Sequence, residues 1–305
     1  MASSGPGDRL FGFVQLDFAG TIGLPDGRYL ARGELEPPAP GSGETEEAEK
    51  SVLVIATEGA PPRARRRRRR PRQAKPEAEV ESLPLSRVTA VRAYEPFEDA
   101  DEAARWLDAA VEAEDTVDVL VDEGLALLNR ALHASAAASG DAYLHPRSAE
   151  GAVAVRIGYG SGGQVADGEW TDARGVDMRG GTRRRRAEDL RPLERIAAVL
   201  GGREQIDACE TLLLRARADL DAGRSREAAL QLRIGLEALL AELSGALNDP
   251  GHEEDMAVLD ARRQEAGDLA NRALRGELDP EAERQVRELV ETSERVLRRR
   301  RILRG

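Results

Sequence analysis

Residues 228–243 read AALQLRIGLEALLAEL, and this stretch decides the fold of the second half of the chain. Its apolar residues recur at intervals of three and four, which puts them on one face of a helix. They are Ala229, Leu232, Leu236, Leu239, Leu240 and Leu243. Similar apolar stripes cover residues 206–220, 256–273 and 286–297. Successive helices that each carry one apolar face predict an all-α helical-bundle domain, which we place at residues 187–305.

Residues 215–241 resemble a tetratricopeptide hairpin, which implies two antiparallel helices. Gly223 lies at the turn, Ala228 lies early in the second helix, and Gly235 lies where a small residue is usual. The resemblance covers one repeat, no second copy follows at a period of about 34 residues, and a stable solenoid needs about three repeats. The alternative is an ordinary helical hairpin, because small residues at a helix crossing serve the same packing.

The first part of the chain has a different pattern, and all the aromatic residues lie in it, at or before Trp170. Several short segments are rich in β-branched residues or alternate in hydropathy, which predicts strands. These segments are residues 10–18, 27–32, 51–57, 87–92 and 152–157. Residues 103–111 and 117–128 instead repeat apolar positions at helical spacing. Together they predict an α+β domain over residues 1–175, with a small antiparallel or mixed sheet and two helices.

Residues 34–50 and 59–83 have the composition of linkers. Both are rich in Pro, Gly, Glu and Arg and lack apolar periodicity. Such segments bury too little apolar surface to offset the entropy lost on ordering. We therefore predict that both are disordered.

Basic charge is unevenly distributed in this chain of 305 residues, whose net charge of −11 does not suit general binding of polyanions. Arginine runs at residues 63–72, 183–186 and 298–301 could nevertheless neutralise phosphates of a nucleic acid. The arginines that would do so are Arg65, Arg66, Arg67, Arg68, Arg69, Arg70, Arg298, Arg299, Arg300 and Arg301. Glutamates flank the first run, and no aromatic residue interleaves with the runs, so solvated segments are the alternative.

The expected location is the cytoplasm, and no membrane partner is expected. Cys209 is the only cysteine, so an internal disulfide is impossible, which is typical of a reducing compartment. The N-terminal residues are polar and do not read as a secretory signal. No window approaches about 18 uncharged apolar residues, the length that indicates a membrane span.

The segment Gly158–Gly163, GYGSGG, follows a predicted strand and matches the pattern GxGxxG. In a dinucleotide site this loop opens a helix whose N-terminus holds the pyrophosphate. Here Gly168 follows within a turn, and no apolar helical stripe comes after it. The segment therefore predicts a turn between strands or a loop against the partner domain. An enzyme with a site near this segment remains the catalytic alternative.

Residues 9–16, RLFGFVQL, match most of an RNA-binding strand signature, in which Phe11 and Phe13 would stack on bases. That signature lies on an inner strand preceded by another strand, and too few residues come before this one. Two phenylalanines of the core or the sheet face are the favoured interpretation. The histidines His133, His145 and His252 show no ligand spacing, so we predict no metal site. No motif with the context of a cofactor or catalytic site is present, so we predict no cofactor and no catalytic residue.

Two functional hypotheses follow. In the first, the chain is a non-catalytic interaction or scaffold protein, which binds a protein partner or a second copy through Leu236, Leu240 and Leu243 of the C-terminal helices. In the second, it is a nucleic-acid-associated regulator that uses the arginine-rich linker and tail. The sequence favours the first, because it offers a helical array and no motif that identifies chemistry.

Overall fold

The structure is a computed structural model that describes residues 9–32, 50–59, 84–176, 190–243, 250–276 and 278–304. The chain divides into two compact units, Met1–Gly180 (the sheet unit) and Gly181–Gly305 (the helical unit). The predicted linkers at residues 34–50 and 59–83 lie outside the described residues, apart from their ends at Lys50 and Gly59.

The described part of the sheet unit forms a six-stranded sheet in the order β2-β3-β4-β1-β5-β6. The strands are β1 (Leu10–Ala19), β2 (Gly27–Arg32), β3 (Lys50–Glu58), β4 (Leu85–Phe97), β5 (Ala152–Ser161) and β6 (Asp172–Val176). All neighbouring strands pair antiparallel. The predicted N-terminal sheet is confirmed. The short strand β6 was not predicted, because its sequence DARGV has only two apolar side chains to mark a period.

The central strand β1 is buried on both faces. Val14, Leu16 and Phe18 lie in one core, whereas Phe13 belongs to a smaller cluster on the opposite face. This division follows from the alternation of side chains along a strand. Gln15 is also buried, on the same face as Phe13. Since both faces need cover, β1 determines which elements pack above and below the sheet.

Two helices cover one face of the sheet: α1 (Ala100–Glu112) and α2 (Glu114–Ser139). Asp99 caps α1, because its side chain accepts a hydrogen bond of 2.8 Å from the backbone N–H of Glu102. α2 ends at Gly140, whose φ of 67° is a left-handed conformation that favours glycine. The two helices predicted for this domain are confirmed.

The connection between β5 and β6 covers part of the opposite face and contains the short helix α3 (Gly162–Ala166). Val165 and Trp170 of this connection pack with Phe13. The backbone oxygen of Gly168 accepts a hydrogen bond of 3.0 Å from the Gln15 amide. At Gly160, a Cβ would lie 3.1 Å from Trp170 Cα, so glycine permits this close approach.

The helical unit confirms the predicted run of helices over residues 208–304, whereas the helix at residues 190–200 was not predicted. Its described helices are α4 (Leu190–Leu200), α5 (Ala208–Asp221), α6 (Ser225–Leu243), α7 (Pro250–Ala261), α8 (Arg263–Arg275) and α9 (Pro280–Arg304). The apolar stripe predicted over residues 256–273 belongs to α7 and α8, which are separated at Arg262. The core of this unit includes residues of α5, α6, α8 and α9, for example Leu213, Leu232, Leu269 and Leu289.

The helices α5 and α6 form an antiparallel hairpin with small residues at its turn and its crossing. Gly223 has a φ of 70°, which a turn of this kind requires. A Cβ at Gly235 would lie 3.2 Å from Leu213 Cδ2, so the absence of a side chain lets the helices approach closely. Glu242 of α6 accepts hydrogen bonds of 3.2 and 3.1 Å from the backbone N–H groups of Ala208 and Cys209, and so caps α5. These contacts fit an ordinary helical hairpin as well as a tetratricopeptide repeat.

Replacing Gly158 by alanine is expected to destabilise the sheet unit by about 1–3 kcal/mol, the usual cost of overpacking. A Cβ there would lie 2.5 Å from the backbone oxygen of Asp172 and 2.7 Å from Phe13 Cζ. Urea unfolding followed by tryptophan fluorescence measures this, since Trp106 and Trp170 are the only tryptophans and both lie in this unit.

Gly163→Ala is the matched control, because a Cβ at Gly163 meets no atom within 4 Å. It should leave the unfolding midpoint unchanged or slightly raised. If both variants lose the same free energy of unfolding, close packing around Gly158 is not the reason that position 158 requires glycine.

Candidate protein-binding groove

The three leucines predicted to bind a partner have different environments. Leu236 and Leu243 are 1% and 0% exposed and lie in the core of the helical unit. Leu240 is partly buried at the edge of that core. The apolar stripe of α6 is wide, and its central residues face the other helices of the unit. The folded chain therefore does not offer Leu236 and Leu243 to a partner, and only Leu240 reaches a surface that a partner could contact.

Leu240 lines a groove on the surface formed by α6, α7 and α8. The groove consists of two adjoining depressions of about 520 and 320 Å³. They share Glu237, Asp260 and Arg263, which makes them continuous. The lining residues of this α6–α8 groove are Arg233, Glu237, Leu240, Ala241, Met256, Ala257, Asp260, Ala261, Arg263, Gln264, Gly267 and Asn271.

The floor of the larger depression contains two large apolar side chains, although polar atoms contribute more of its lining than apolar atoms do. Leu240 and Met256 are partly buried hydrophobic residues packed against the core of the helical unit. Ala241 and Ala257 lie beside them and are exposed. Because these alanines are small, a side chain of a partner could reach the leucine and the methionine. Methionine also adapts its shape to different occupants, since it is unbranched and flexible.

The rim of the groove is charged but nearly neutral overall. Glu237 on α6 and Arg263 on α8 form an ion pair across it through two hydrogen bonds, one of them 2.7 Å between Nε and Oε1. This hydrogen-bonded pair lowers the pKa of the Glu237 carboxyl group and raises the pKa of the Arg263 guanidinium. Arg233 and Asp260 add one charge of each sign. An apolar floor with a balanced rim suits an amphipathic polypeptide segment better than a polyanion.

Most residues of this groove could not be predicted from sequence. Leu240 and Met256 belong to predicted apolar stripes, and Leu240 was also predicted to bind a partner. Glu237, Asp260 and Arg263 are charged residues of helices in a chain that is 33% charged, so nothing in the pattern distinguishes them from other surface residues. Their proximity depends on how α6, α7 and α8 pack.

Two of the four arginines at residues 298–301 of the C-terminal tail form ion pairs within the fold. Arg300 is 7% exposed and forms an ion pair with Asp207. Arg299 pairs with Asp255 at 2.9 Å. These contacts connect α9 to α7 and to the residue before α5. The two arginines were predicted to bind phosphates, and here they are paired with carboxylates of the same chain. Arg298 is exposed, and the Arg301 side chain lies outside the described residues.

The six arginines of the predicted linker site also lie outside the described residues. They are Arg65, Arg66, Arg67, Arg68, Arg69 and Arg70. A role for them in nucleic-acid binding stays a prediction that the structure does not test.

The two motifs of the sheet unit have structural roles. In the GxGxxG segment, Ser161 caps α3 through a capping box with Gln164, and α3 is only five residues long. It offers no helix of the kind that holds a pyrophosphate. Phe13 of the RNA-binding-like segment is 0% exposed, which leaves no ring face for a base. Phe11 is partly buried in the same cluster.

A polar network lies on the same sheet face as Phe13. Asp17 is 2% exposed, and its carboxylate accepts hydrogen bonds of 3.0 Å from Arg87 and 2.7 Å from Arg156. Arg87 also donates to Glu58 at 2.6 Å, so the charges are balanced within the network. Buried charges of this kind need partners to offset the loss of hydration. The arrangement accounts for the burial of Asp17 without a ligand.

Cys209 and the acidic residues do not assemble a reactive centre in the described part of the chain. Burial, with the nearby Glu242 carboxylate, raises the pKa of the Cys209 thiol to about 12, so it is not a thiolate near neutral pH. Among the described residues, no three His, Cys, Asp or Glu side chains are grouped so that they could hold a metal ion. No helix there has the length and apolar character needed to cross a membrane.

Comparison with known proteins finds no matching family model, curated protein or solved structure.

The pKa of Cys209 predicts a pH dependence of stability in the helical unit. A thiol in the unfolded chain has a pKa of about 8.5. The folded pKa of about 12 is higher, so the stabilising effect is complete below the unfolded value and is lost as the pH rises toward the folded value. We expect a loss of up to about 2 kcal/mol between pH 8 and pH 10.

Urea unfolding at both pH values, followed by far-ultraviolet circular dichroism, measures this loss. Cys209→Ala is the control, since the helical unit contains no Lys or Tyr that would titrate in the same range. The variant should lose less stability between the two pH values than the wild type. If both lose the same amount, proton release from Cys209 is not the cause.

Proposed function

We propose that this chain is a non-catalytic protein-binding protein, and that its helical unit holds a segment of another polypeptide in the α6–α8 groove. The observation that carries the proposal is the pair Leu240 and Met256, two partly buried apolar side chains that line a depression formed by α6, α7 and α8. Apolar surface that is left accessible in a concave site is a usual mark of a binding surface.

The dimensions of the groove favour a short helical segment as the occupant. From Arg233 to Ala241, α6 runs for about 12 Å along it, at 1.5 Å per residue. That length matches about two turns of a partner helix. Apolar residues three or four positions apart on such a helix would meet the floor. A contact of this size is small compared with stable interfaces, so we expect weak and reversible binding.

The charged rim would affect the orientation of the bound segment more than the strength of its binding. Glu237 and Arg263 are paired with each other and are solvent-accessible, so neither is a buried charge that waits for a partner. Charged side chains on the partner would exchange with this pair at little net gain. Binding free energy would therefore come mainly from the floor, and the proposal predicts a modest dependence on salt.

The finer resemblance of α5 and α6 to a tetratricopeptide repeat remains a prediction. Its support is the turn at Gly223 and the close crossing at Gly235. The groove lies on α6, α7 and α8, so the proposed binding does not depend on whether the hairpin belongs to that class.

The proposal is tested by placing a photo-crosslinking amino acid at the exposed position Ala257 and irradiating cells of the source organism that express the full chain. We expect one or a few discrete crosslinked products. Leu240→Glu should reduce their yield at least tenfold, because a charge on the floor opposes burial of an apolar anchor.

Leu214→Glu is the matched control, since Leu214 lies on α5, is 61% exposed and does not line the groove. It should leave the crosslinked products unchanged. Circular dichroism checks that both variants keep their helices. A crosslinking pattern that is the same in all three folded proteins would rule out the groove as the binding surface.

A further inference from the structure

We propose that the occupant of the α6–α8 groove is helix α4 of a second copy of this chain, so that two copies exchange their α4 helices and form a symmetric dimer. This inference rests on the proposed function, because it uses the same groove. It adds the identity of the bound segment and the symmetry of the assembly.

The first observation is the exposed apolar face of α4. Ile196 and Leu200 lie one helical turn apart and are 52% and 84% exposed. Ile206, soon after the helix, is 58% exposed. Within the described residues, α4 packs extensively against no other helix or strand. Large apolar residues that are grouped on one helix and exposed to water mark a surface that another molecule covers.

The second observation is that α4 is too short to be stable by itself. It has 11 residues, and isolated helices below about 12–15 residues are marginal in water. Helices of this length gain most of their stability when an apolar face packs against a neighbour. A neighbour that covers Ile196 and Leu200 would supply this missing contact.

The third observation is the fit between α4 and the groove. Residues 195–200 of α4, whose side chains are described, span about 9 Å, which fits within about 12 Å of groove along α6. The one charged residue in the described residues 195–200 is Arg195, which pairs with Glu204 and Glu210 of its own chain. The rest of that stretch is uncharged and matches a floor of Leu240 and Met256 inside a balanced rim.

The fourth observation explains why the exchange occurs between two copies. Arg195 donates a hydrogen bond of 2.6 Å to Glu210, which is only 3% exposed and lies in the first turn of α5. If α4 left this place to enter the groove of its own chain, it would break the ion pair between Arg195 and the buried Glu210 carboxylate. That loss is costly. The groove of a second copy can cover α4 without moving it, so the ion pair between Arg195 and Glu210 is kept.

Exchange in both directions gives a closed assembly. Each copy offers one α4 and one groove, so a twofold axis allows both contacts to form at once. The second contact then forms within a complex that already exists, which strengthens association beyond that of one helix in one groove. The dimer would be saturated, because no α4 or groove remains free to recruit a third copy.

The test is analytical ultracentrifugation of the full chain and of three variants. Leu200→Glu changes α4 at an exposed position, and Ala257→Arg changes the groove at an exposed position. Leu214→Glu is the control on α5, outside the groove. We expect wild type and control to be dimers at micromolar concentration, and each of the other two variants to associate at least tenfold more weakly.

A mixture of the Leu200→Glu and Ala257→Arg variants tests directly whether α4 of one copy binds the groove of the other. The Ala257→Arg copy has an intact α4, and the Leu200→Glu copy has an intact groove, so the mixture keeps one good contact. We expect the mixed pair to associate more tightly than either variant does alone. Circular dichroism of each variant excludes loss of folding as the reason for weak association.

Two outcomes would overturn the inference. A monomeric wild type at these concentrations would exclude the exchange. Dimers that are lost in Leu200→Glu but kept in Ala257→Arg would mean that α4 packs against α4 or another surface. In either case, the proposed function would still be supported if position 257 crosslinks to a different protein and Leu240→Glu reduces that crosslink. If no such crosslink forms, both the proposed function and the exchange of α4 helices are excluded.

Discussion

The helical unit depends on the packing of α6 against its neighbours. α6 contacts α5 and α8 along much of its length, and it also meets α7 and α9. The leucines buried in this contact are Leu232, Leu236, Leu239 and Leu243. Burying them supplies free energy in proportion to the apolar area removed from water. The same helix caps α5 through Glu242, so its position also fixes the start of its neighbour.

The groove is a consequence of that packing. Several helices pack around α6. A residue of α6 that lies between two of these neighbours is only partly covered by them. Leu240 lies at such a border, between the buried centre of the stripe and the charged residues Glu237 and Arg263. α7 ends at Ala261 and α8 begins at Arg263, and residues of both helices line the depression beside Leu240. The arrangement of the helices around α6 therefore leaves Leu240 partly accessible.

Charge in this protein serves the fold at several positions, two of which were predicted to bind nucleic acid. Arg300 and Arg299 tie the end of α9 to Asp207 and Asp255. Arg217 holds the same helix to α5 through two hydrogen bonds to Glu294, at 2.9 and 2.7 Å. In the sheet unit, Arg87 and Arg156 neutralise the buried Asp17. Arginine suits these places because its planar group makes several hydrogen bonds in fixed directions.

The sequence by itself determined the type and the approximate limits of most elements. Periodicity is a local property, so the stripe at residues 228–243 predicted α6, and the apolar run at residues 10–18 predicted β1. The turn at Gly223 could also be read directly, since glycine adopts positive φ without strain. β6 escaped prediction because it is short and is specified by pairing with β5 more than by its own residues.

Only the tertiary structure decided which of these residues are available to a partner. Leu236, Leu240 and Leu243 belong to one stripe, and spacing alone cannot tell the two leucines of the core from the one in the groove. Likewise, four consecutive arginines look alike in sequence, although Arg300 is buried against Asp207 and Arg298 is exposed. The physical reason is that burial and ion pairing depend on residues distant in the chain, whose positions are set by packing and not by local pattern.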